Sequence, residues 1–340
     1  MSGLGVSVPE TMRTLAVEAL SPDFSGCRLV ERAVPQPGAG EALVRIEAAA
    51  LGFPDLLMTR GGYQAKPPLP FTPGMEVSGT VVAAGEDAIE RGFGPGTAVI
   101  GGGLTGGVAQ FGVFAADALM PKPAGLSFAQ AASLRSAYLT AWVALVRRAV
   151  VVPGEWLLVH GAAGGVGLAA VDLARSLGLR TIAVASGEAK RAAIARAFSP
   201  EHVIEAGPGF RDRVLEITGG QGVDVVYDPV GGDVFDLSTR CIAFAGRLLV
   251  IGFAGGRIPT LSANIALIKG FSVIGVRAGE YGRRFPELGR ANVAAIRQLA
   301  EEGAIAPQVH AELPLDRWRD GFAAMEDRSV VGRTVILPWA

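Results

Sequence analysis

The chain is poor in soft and imidazole ligands. Of its 340 residues two are cysteine, Cys27 and Cys241, and three are histidine, His160, His202 and His310, all far apart in sequence. Two such thiols do not make a secreted disulfide scaffold; they read as free thiols of a reducing compartment, with a disulfide left open by spacing alone. No four-cysteine lobe exists to hold a structural zinc. Charged residues make up only 19% and the formal net charge is −1, so nothing draws the whole chain to nucleic acid or an anionic membrane. With 7% aromatics and no basic aromatic stripe, RNA binding is disfavoured further. No segment offers eighteen uninterrupted apolar residues, and residues 1–14 carry no apolar run behind a basic cluster. The expectation is a cytoplasmic protein with no membrane partner.

What is present is apolar, glycine-rich and long enough for two cores. Half the residues are hydrophobic, and 47 glycines and 21 prolines are spread through turns with no low-complexity tract. Residues 15–123 read as a small irregular β domain, with short strands at 42–49, 77–84, 97–100 and 111–115 and turns at Pro37-Gly38, Pro73-Gly74 and Pro95-Gly96. The character changes after Pro123: residues 127–134 and 137–148 read as helices, with Ser127 as N-cap.

From Val151 strand and helix alternate. Strands are expected at 156–160, 180–185, 202–204, 224–228, 247–252 and 271–276, which fits a doubly wound parallel sheet of order 3-2-1-4-5-6 with its ligand at the carboxyl ends of the strands. After the first strand comes Ala162-Ala163-Gly164-Gly165-Val166-Gly167, a dinucleotide fingerprint whose first glycine is alanine. Glycines leave room for a pyrophosphate, and the helix that follows offers unpaired N–H groups. Loops Asp228-Pro229-Val230-Gly231-Gly232 and Gly252-Phe253-Ala254-Gly255-Gly256 follow strands four and five and are expected to face the same ligand. Beyond Pro286 a helix to about Glu302, an amphipathic helix at 315–327 and a strand at 333–337 return the chain to the first domain. The boundaries expected are 1–135 with 285–340, and 136–284.

Together with the fingerprint, the strings Phe53-Pro54-Asp55-Leu56-Leu57, Gly61-Gly62-Tyr63, Pro73-Gly74-Met75-Glu76-Val77-Ser78-Gly79, Tyr138-Leu139-Thr140-Ala141-Trp142 and Asp228-Pro229-Val230-Gly231-Gly232 make the whole chain resemble the medium-chain dehydrogenase/reductase superfamily. Within it, the likeness is to the zinc-independent quinone oxidoreductase branch that includes zeta-crystallin. The resemblance implies an α/β fold: a GroES-like β-rich catalytic domain plus a doubly wound Rossmann domain, in a homodimer joined through the edge of the Rossmann sheet. Zinc-dependent members place a cysteine in the loop matching Gly52 to Asp55 and a histidine before the matching Glu76; here the loop has no cysteine and Met75 precedes Glu76. No metal is expected, and the substrate is then one that spreads negative charge itself, a quinone or an α,β-unsaturated carbonyl.

An acid that would hold the ribose hydroxyls of NAD is absent from Ala185-Ser186-Gly187, and Lys190 and Arg191 follow, which favours NADPH. By the resemblance, Ala163, Gly164, Gly165, Val166, Ser186, Lys190, Gly252, Phe253 and Arg328 are cofactor-binding, and Tyr63 and Thr140 are catalytic candidates. Glu188 lies close to the phosphate-binding residues, and the tyrosine that often follows the third strand is replaced by Glu205-Ala206. Gly52 stands where the family has asparagine. Arg135 and Arg277, with Arg283 and Arg284 nearby, are cations where relatives have small or apolar residues. Converging on the cleft they would bind an anionic substrate; pointing outward they are surface charge. Two alternatives therefore stay open beside a quinone or enone reductase: an enoyl-CoA or acryloyl-CoA type reductase, and a low-turnover NADPH-binding protein.

Overall fold

The computed structural model describes residues 8–340. These divide into two compact units, the described residues up to Arg135 together with Val309–Ala340, and Ser136–Gln308. In chain order the strands are β1 (Thr11–Val17), β2 (Cys27–Ala33), β3 (Glu41–Ala50), β4 (Glu76–Ala84), β5 (Ala98–Gly101), β6 (Phe111–Ala115), β7 (Met120–Pro121), β8 (Trp156–Val159), β9 (Arg180–Ala185), β10 (His202–Glu205), β11 (Val223–Asp228), β12 (Ile242–Val250), β13 (Ser272–Gly275), β14 (Val309–Pro314) and β15 (Arg333–Leu337).

In the first unit β1 and β2 pair as an antiparallel hairpin, and a second sheet runs β14-β15-β3-β4-β5-β7. The long strand β3 is its centre: β6 pairs with residues Glu41 to Arg45 and β15 with Ala49 and Ala50. Leu15, Val44, Ile46, Val77, Val99 and Ile336 are fully buried in the core. β14 and β15 run parallel. Between them lies the helix Trp318–Glu326, whose Trp318 and Phe322 enter that core as their helical spacing requires.

The second unit is a six-stranded sheet of order β10-β9-β8-β11-β12-β13 with every pair parallel. Counted from β8 this is the order 3-2-1-4-5-6. Helices cover both faces of such a sheet, so its middle strands must be apolar on both sides. Leu157, Leu158, Val159, Val225, Val226 and Tyr227 are accordingly inaccessible to solvent.

Three features differ from the sequence expectation. The chain returns to the first unit at Val309, not at 285, because the helix Pro286–Glu301 belongs to the second unit. Its buried Asn292 accepts hydrogen bonds from Trp142 Nε1 at 3.2 Å and Arg147 Nε at 2.7 Å. The segment expected as one helix at 137–148 is α-helical over Arg135–Trp142 and widens into π-helical turns over Val143–Ala149. Strands β1, β2, β7 and β14 are not among those expected. β14 mixes half-buried and exposed positions and carries no clear apolar stripe.

Candidate functional site

The fingerprint sits where its pattern places it, between β8 and the helix Gly165–Ser176. Gly164 is the N-cap and no side chain caps the helix, so its first N–H groups face outward without a local acceptor. The tight turn is made one residue earlier than the fingerprint suggests. Gly161 adopts φ +54°, and its carbonyl accepts from Gly164 N–H at 2.9 Å, while Ala162 is buried and bonded to Val184 O through its N–H at 3.0 Å. Gly167 is required for a different reason: a Cβ there would lie 2.3 Å from the Gly161 oxygen. Ala163 is buried, Gly165 and Val166 are half-buried and Gly164 is exposed, which leaves a backbone rim at the end of β8.

Beside this rim, β9 ends at Ala185 and leads through exposed Ser186 into Gly187, whose φ of +78° opens the helix Glu188–Phe198. Lys190 and Arg191 lie on its first turn. The neighbouring strand β10 ends in Glu205, in register with Ala185. Its carboxylate accepts from Gly187 N–H at 3.1 Å and pairs with Arg191. In sequence Glu205 stands only where relatives carry a tyrosine; the register of a parallel pair is what brings it to this turn.

On the other side of β8, Asp228 closes β11. Its buried Oδ1 accepts from the N–H groups of Val230 at 2.8 Å and Gly231 at 2.9 Å, shaping the Asp228-Pro229-Val230-Gly231 turn. Burial raises this carboxyl above its ordinary range against the pull of those two bonds. Gly252 and the exposed Phe253 follow β12 on the same rim. A cavity of about 260 Å³ bordered by Trp156, Arg180 and Asp224 lies at the amino ends of these strands, away from the glycine loop.

In the first unit, a second polar cluster is built around Asp55. Gly52 is the N-cap of the helix Phe53–Thr59, and its N–H donates to Asp55 Oδ2 at 2.8 Å, the half of a capping box that a glycine can make. Asp55 Oδ1 accepts from Gly74 N–H at 2.9 Å, so one carboxylate ties two loops. Its complete burial lifts the carboxyl to about 6, partly opposed by these bonds and by Arg333. Arg333 Nη2 meets Glu76 Oε2 at 2.6 Å, both side chains nearly buried. Arg135 is turned inward in this cluster: Nη1 donates to Ala118 O at 2.8 Å, desolvation lowers its pKa, and Glu76 partly restores it. Tyr63 is half-buried with its ring against the apolar core. Gly52 offers no side-chain donor, and Met75 packs half-buried against the same core. Among the described residues no three His, Cys, Asp or Glu side chains gather as a metal-binding group. This donor set does not fit a tetrahedral zinc site.

The remaining candidates are placed by local contacts. Thr140 Oγ1 donates to Ser136 O, one helical turn back, at 2.8 Å, which leaves its oxygen free only to accept. Its motif neighbour Tyr138 is an anchor: the buried hydroxyl donates to Asp172 Oδ2 at 2.6 Å. Arg277 is exposed at the start of the helix Ala278–Arg284. Arg283 and Arg284 both pair with Glu280 at the surface, so these two do not gather into an anion site. Arg328 follows the helix Trp318–Glu326 in the first unit with φ +54°. His160 is buried at the end of β8, bonded to Ser238 Oγ at 2.8 Å and packed on Phe210, and burial holds it neutral with a pKa near about 3. Cys27 and Cys241 are free and buried in different units, their thiols pushed up to about 11 and about 12.

A GroES-like β unit and a parallel sheet with a glycine rim at its carboxyl ends define a dehydrogenase/reductase of the two-unit, nucleotide-binding class. The family model described as the alcohol dehydrogenase GroES-like domain matches residues 38–124, and that described as zinc-binding dehydrogenase matches residues 165–293. A quinone oxidoreductase-like protein 2 homolog from Nematostella vectensis is 35% identical over 301 residues, 88% of this chain and 82% of that protein. Among solved structures, a probable oxidoreductase from Mycobacterium abscessus shares 34% identity with a TM-score of 0.87, covering 97% of this chain and all of that one. A mycobacterial protein complexed with NADPH shares 31% with a TM-score of 0.86, covering 96% of this chain and all of that one. The chain belongs to the quinone oxidoreductase-like family of the medium-chain dehydrogenases/reductases.

Proposed function

We propose that this protein is an NADPH-dependent reductase that transfers hydride to quinones or α,β-unsaturated carbonyls without a metal ion. The observation that carries the reading is the bare glycine rim after β8 beside a second strand that ends in Ser186-Gly187 with no acid of its own. The NADPH complex of a relative supports it. Ala163, Gly164, Gly165 and Val166 would hold the pyrophosphate at the helix N-terminus, Ser186 and Lys190 with Arg328 the 2′-phosphate, and Gly252 and Phe253 the nicotinamide half. Bound NADPH supplies the hydride. The protein supplies position and a dry surface, Thr140 as an acceptor near the nicotinamide and Tyr63 to orient the acceptor or relay its proton. With glycine and methionine at the positions where zinc-dependent relatives carry ligands, no Lewis acid polarises a simple ketone, so the substrate must delocalise the incoming charge.

The protein acts in the cytoplasm as a homodimer on this reading. No helix of the described residues is long and apolar enough to cross a membrane. The helix Ala263–Lys269, which has no buried residue, exposes Leu267 at 82% and Ile268 at 76%, and β12, next to the edge strand β13, exposes Phe244 at 84%. An apolar patch at an open sheet edge is what a second copy would cover.

The test is optical measurement of NADPH and NADH oxidation, with a chelator present, against a benzoquinone, a naphthoquinone, a short enone and crotonyl-CoA. Turnover of the quinones or the enone supports the reading. Preference for crotonyl-CoA moves the assignment to enoyl-CoA reduction, and NADPH binding without turnover removes the enzyme claim.

A further inference from the structure

The carboxyl end of β9 has no acid in its sequence, yet a carboxylate reaches it. Glu205 ends β10 opposite Ala185, and its side chain crosses to the turn after β9, where it accepts from Gly187 N–H at 3.1 Å and pairs with Arg191. The Glu205 side chain is 55% exposed and that of Arg191 26%, so the carboxylate is open to solvent beside exposed Ser186 while the guanidinium is half-buried. In doubly wound units a carboxylate at this turn accepts the ribose hydroxyls of NAD, whereas a 2′-phosphate needs cations. Both chemistries are present here, the acid arriving from the neighbouring strand and the cation from the first turn of the helix that follows.

Resting on the cofactor reading above, we propose that the Arg191–Glu205 pair makes the adenosine-ribose subsite accept both NADH and NADPH. Glu205, held at the turn by Gly187, accepts the 2′-hydroxyl of NADH. Arg191 exchanges Glu205 for the 2′-phosphate of NADPH. The exchange is favoured because an ion pair whose carboxylate is open to solvent contributes little by itself, while a guanidinium on a phosphate makes strong charge-assisted bonds. Gly187 adds no side chain that would cover the carboxylate.

The test is direct binding, read by calorimetry and independent of turnover, with NADPH, NADH, adenosine 2′,5′-bisphosphate and AMP as probes on the full chain. Wild type is expected to bind NADH within about tenfold of NADPH, one charge-assisted contact being exchanged for another. Glu205→Gln should weaken NADH and AMP by about tenfold and leave NADPH unchanged or tighter, since one hydrogen bond to a charged group is lost. Arg191→Ala should do the reverse, weakening NADPH and the bisphosphate by about tenfold. An unchanged melting temperature confirms that each variant folds. Equal effects of Glu205→Gln on both cofactors, no effect on either, or wild-type NADH binding about a thousandfold weaker than NADPH overturns the inference while NADPH binding itself stands. Failure of wild type to bind NADPH overturns the cofactor reading and this inference with it.

Discussion

Asp228 and Asp55 hold loops in the two units by the same chemistry over very different spans of chain. Asp228 accepts from Val230 and Gly231, two and three residues further on, and so closes its own turn. Asp55 accepts from Gly52 and from Gly74, the latter nineteen residues away, and joins two loops that sequence leaves separate. Burial raises both carboxyls against the pull of those bonds. An aspartate that bonds its own following N–H groups is a local turn device. One that bridges distant loops works only once the sheet around it exists, and its removal strands donors that nothing nearby can satisfy.

The largest expected effect follows from that difference. Asp55→Ala leaves two buried N–H groups without an acceptor and should cost about 3–5 kcal/mol in urea unfolding, whereas Asp228→Ala, which frees donors of its own turn, one of them the half-buried Val230 N–H, should cost about 1–3 kcal/mol. Equal losses would break the comparison.

pH sharpens it next. The folded carboxyl of Asp55 titrates near about 6, above its unfolded value of 3.8, so its contribution is fully present below about 3.8 and is lost as pH rises through 6. Stability of wild type should fall against Asp55→Asn by on the order of 3 kcal/mol across that interval. His160 leans the other way. Its folded value, about 3, lies below the ordinary 6.5, so the stability it retains above 6.5 drains as pH falls toward 3, and His160→Gln should gain on wild type there. Melting temperatures of the three proteins from pH 4 to 7, the range where the two trends separate, would show whether the slopes oppose.

Gly167→Ala should act on binding before stability. Its Cβ would meet the Gly161 oxygen at 2.3 Å, so the helix must move back from the glycine turn proposed to hold the pyrophosphate. NADPH affinity should fall by about tenfold or more, read by calorimetry. The smallest effect belongs to Arg284→Ala at the surface pair with Glu280, where unfolding curves should superimpose on wild type; a clear loss would mean that this arginine does more than decorate a helix.

Much of the nucleotide-binding unit was legible before any coordinate. Apolar runs separated by helical periods, and glycines after the first strand, give the sheet order and its ligand rim because parallel crossovers have one hand and helix N-termini need acceptors. Other features were hidden for physical reasons. Gly161 stands outside the fingerprint pattern, which puts its first glycine one position later, where Ala162 stands. The segment after Pro286 reads as a helix, but a helical pattern does not say which core it meets, and the bonds of Asn292 to Trp142 and Arg147 decide it. Arg135 reads as a free cation until Ala118 is seen beside it.

The order of the strands, the glycine turn after β8 and the lack of an acid at the end of β9 are written in the chain, since each follows from residue size, backbone freedom or alternation within a few neighbours. Which charges meet is settled by folding alone. Arg333 finds Glu76 across 257 residues, Asp55 finds Gly74, and Glu205 reaches Gly187 and Arg191 from the next strand. Such pairings depend on distance and on exclusion of water, and neither quantity is written in spacing along the chain.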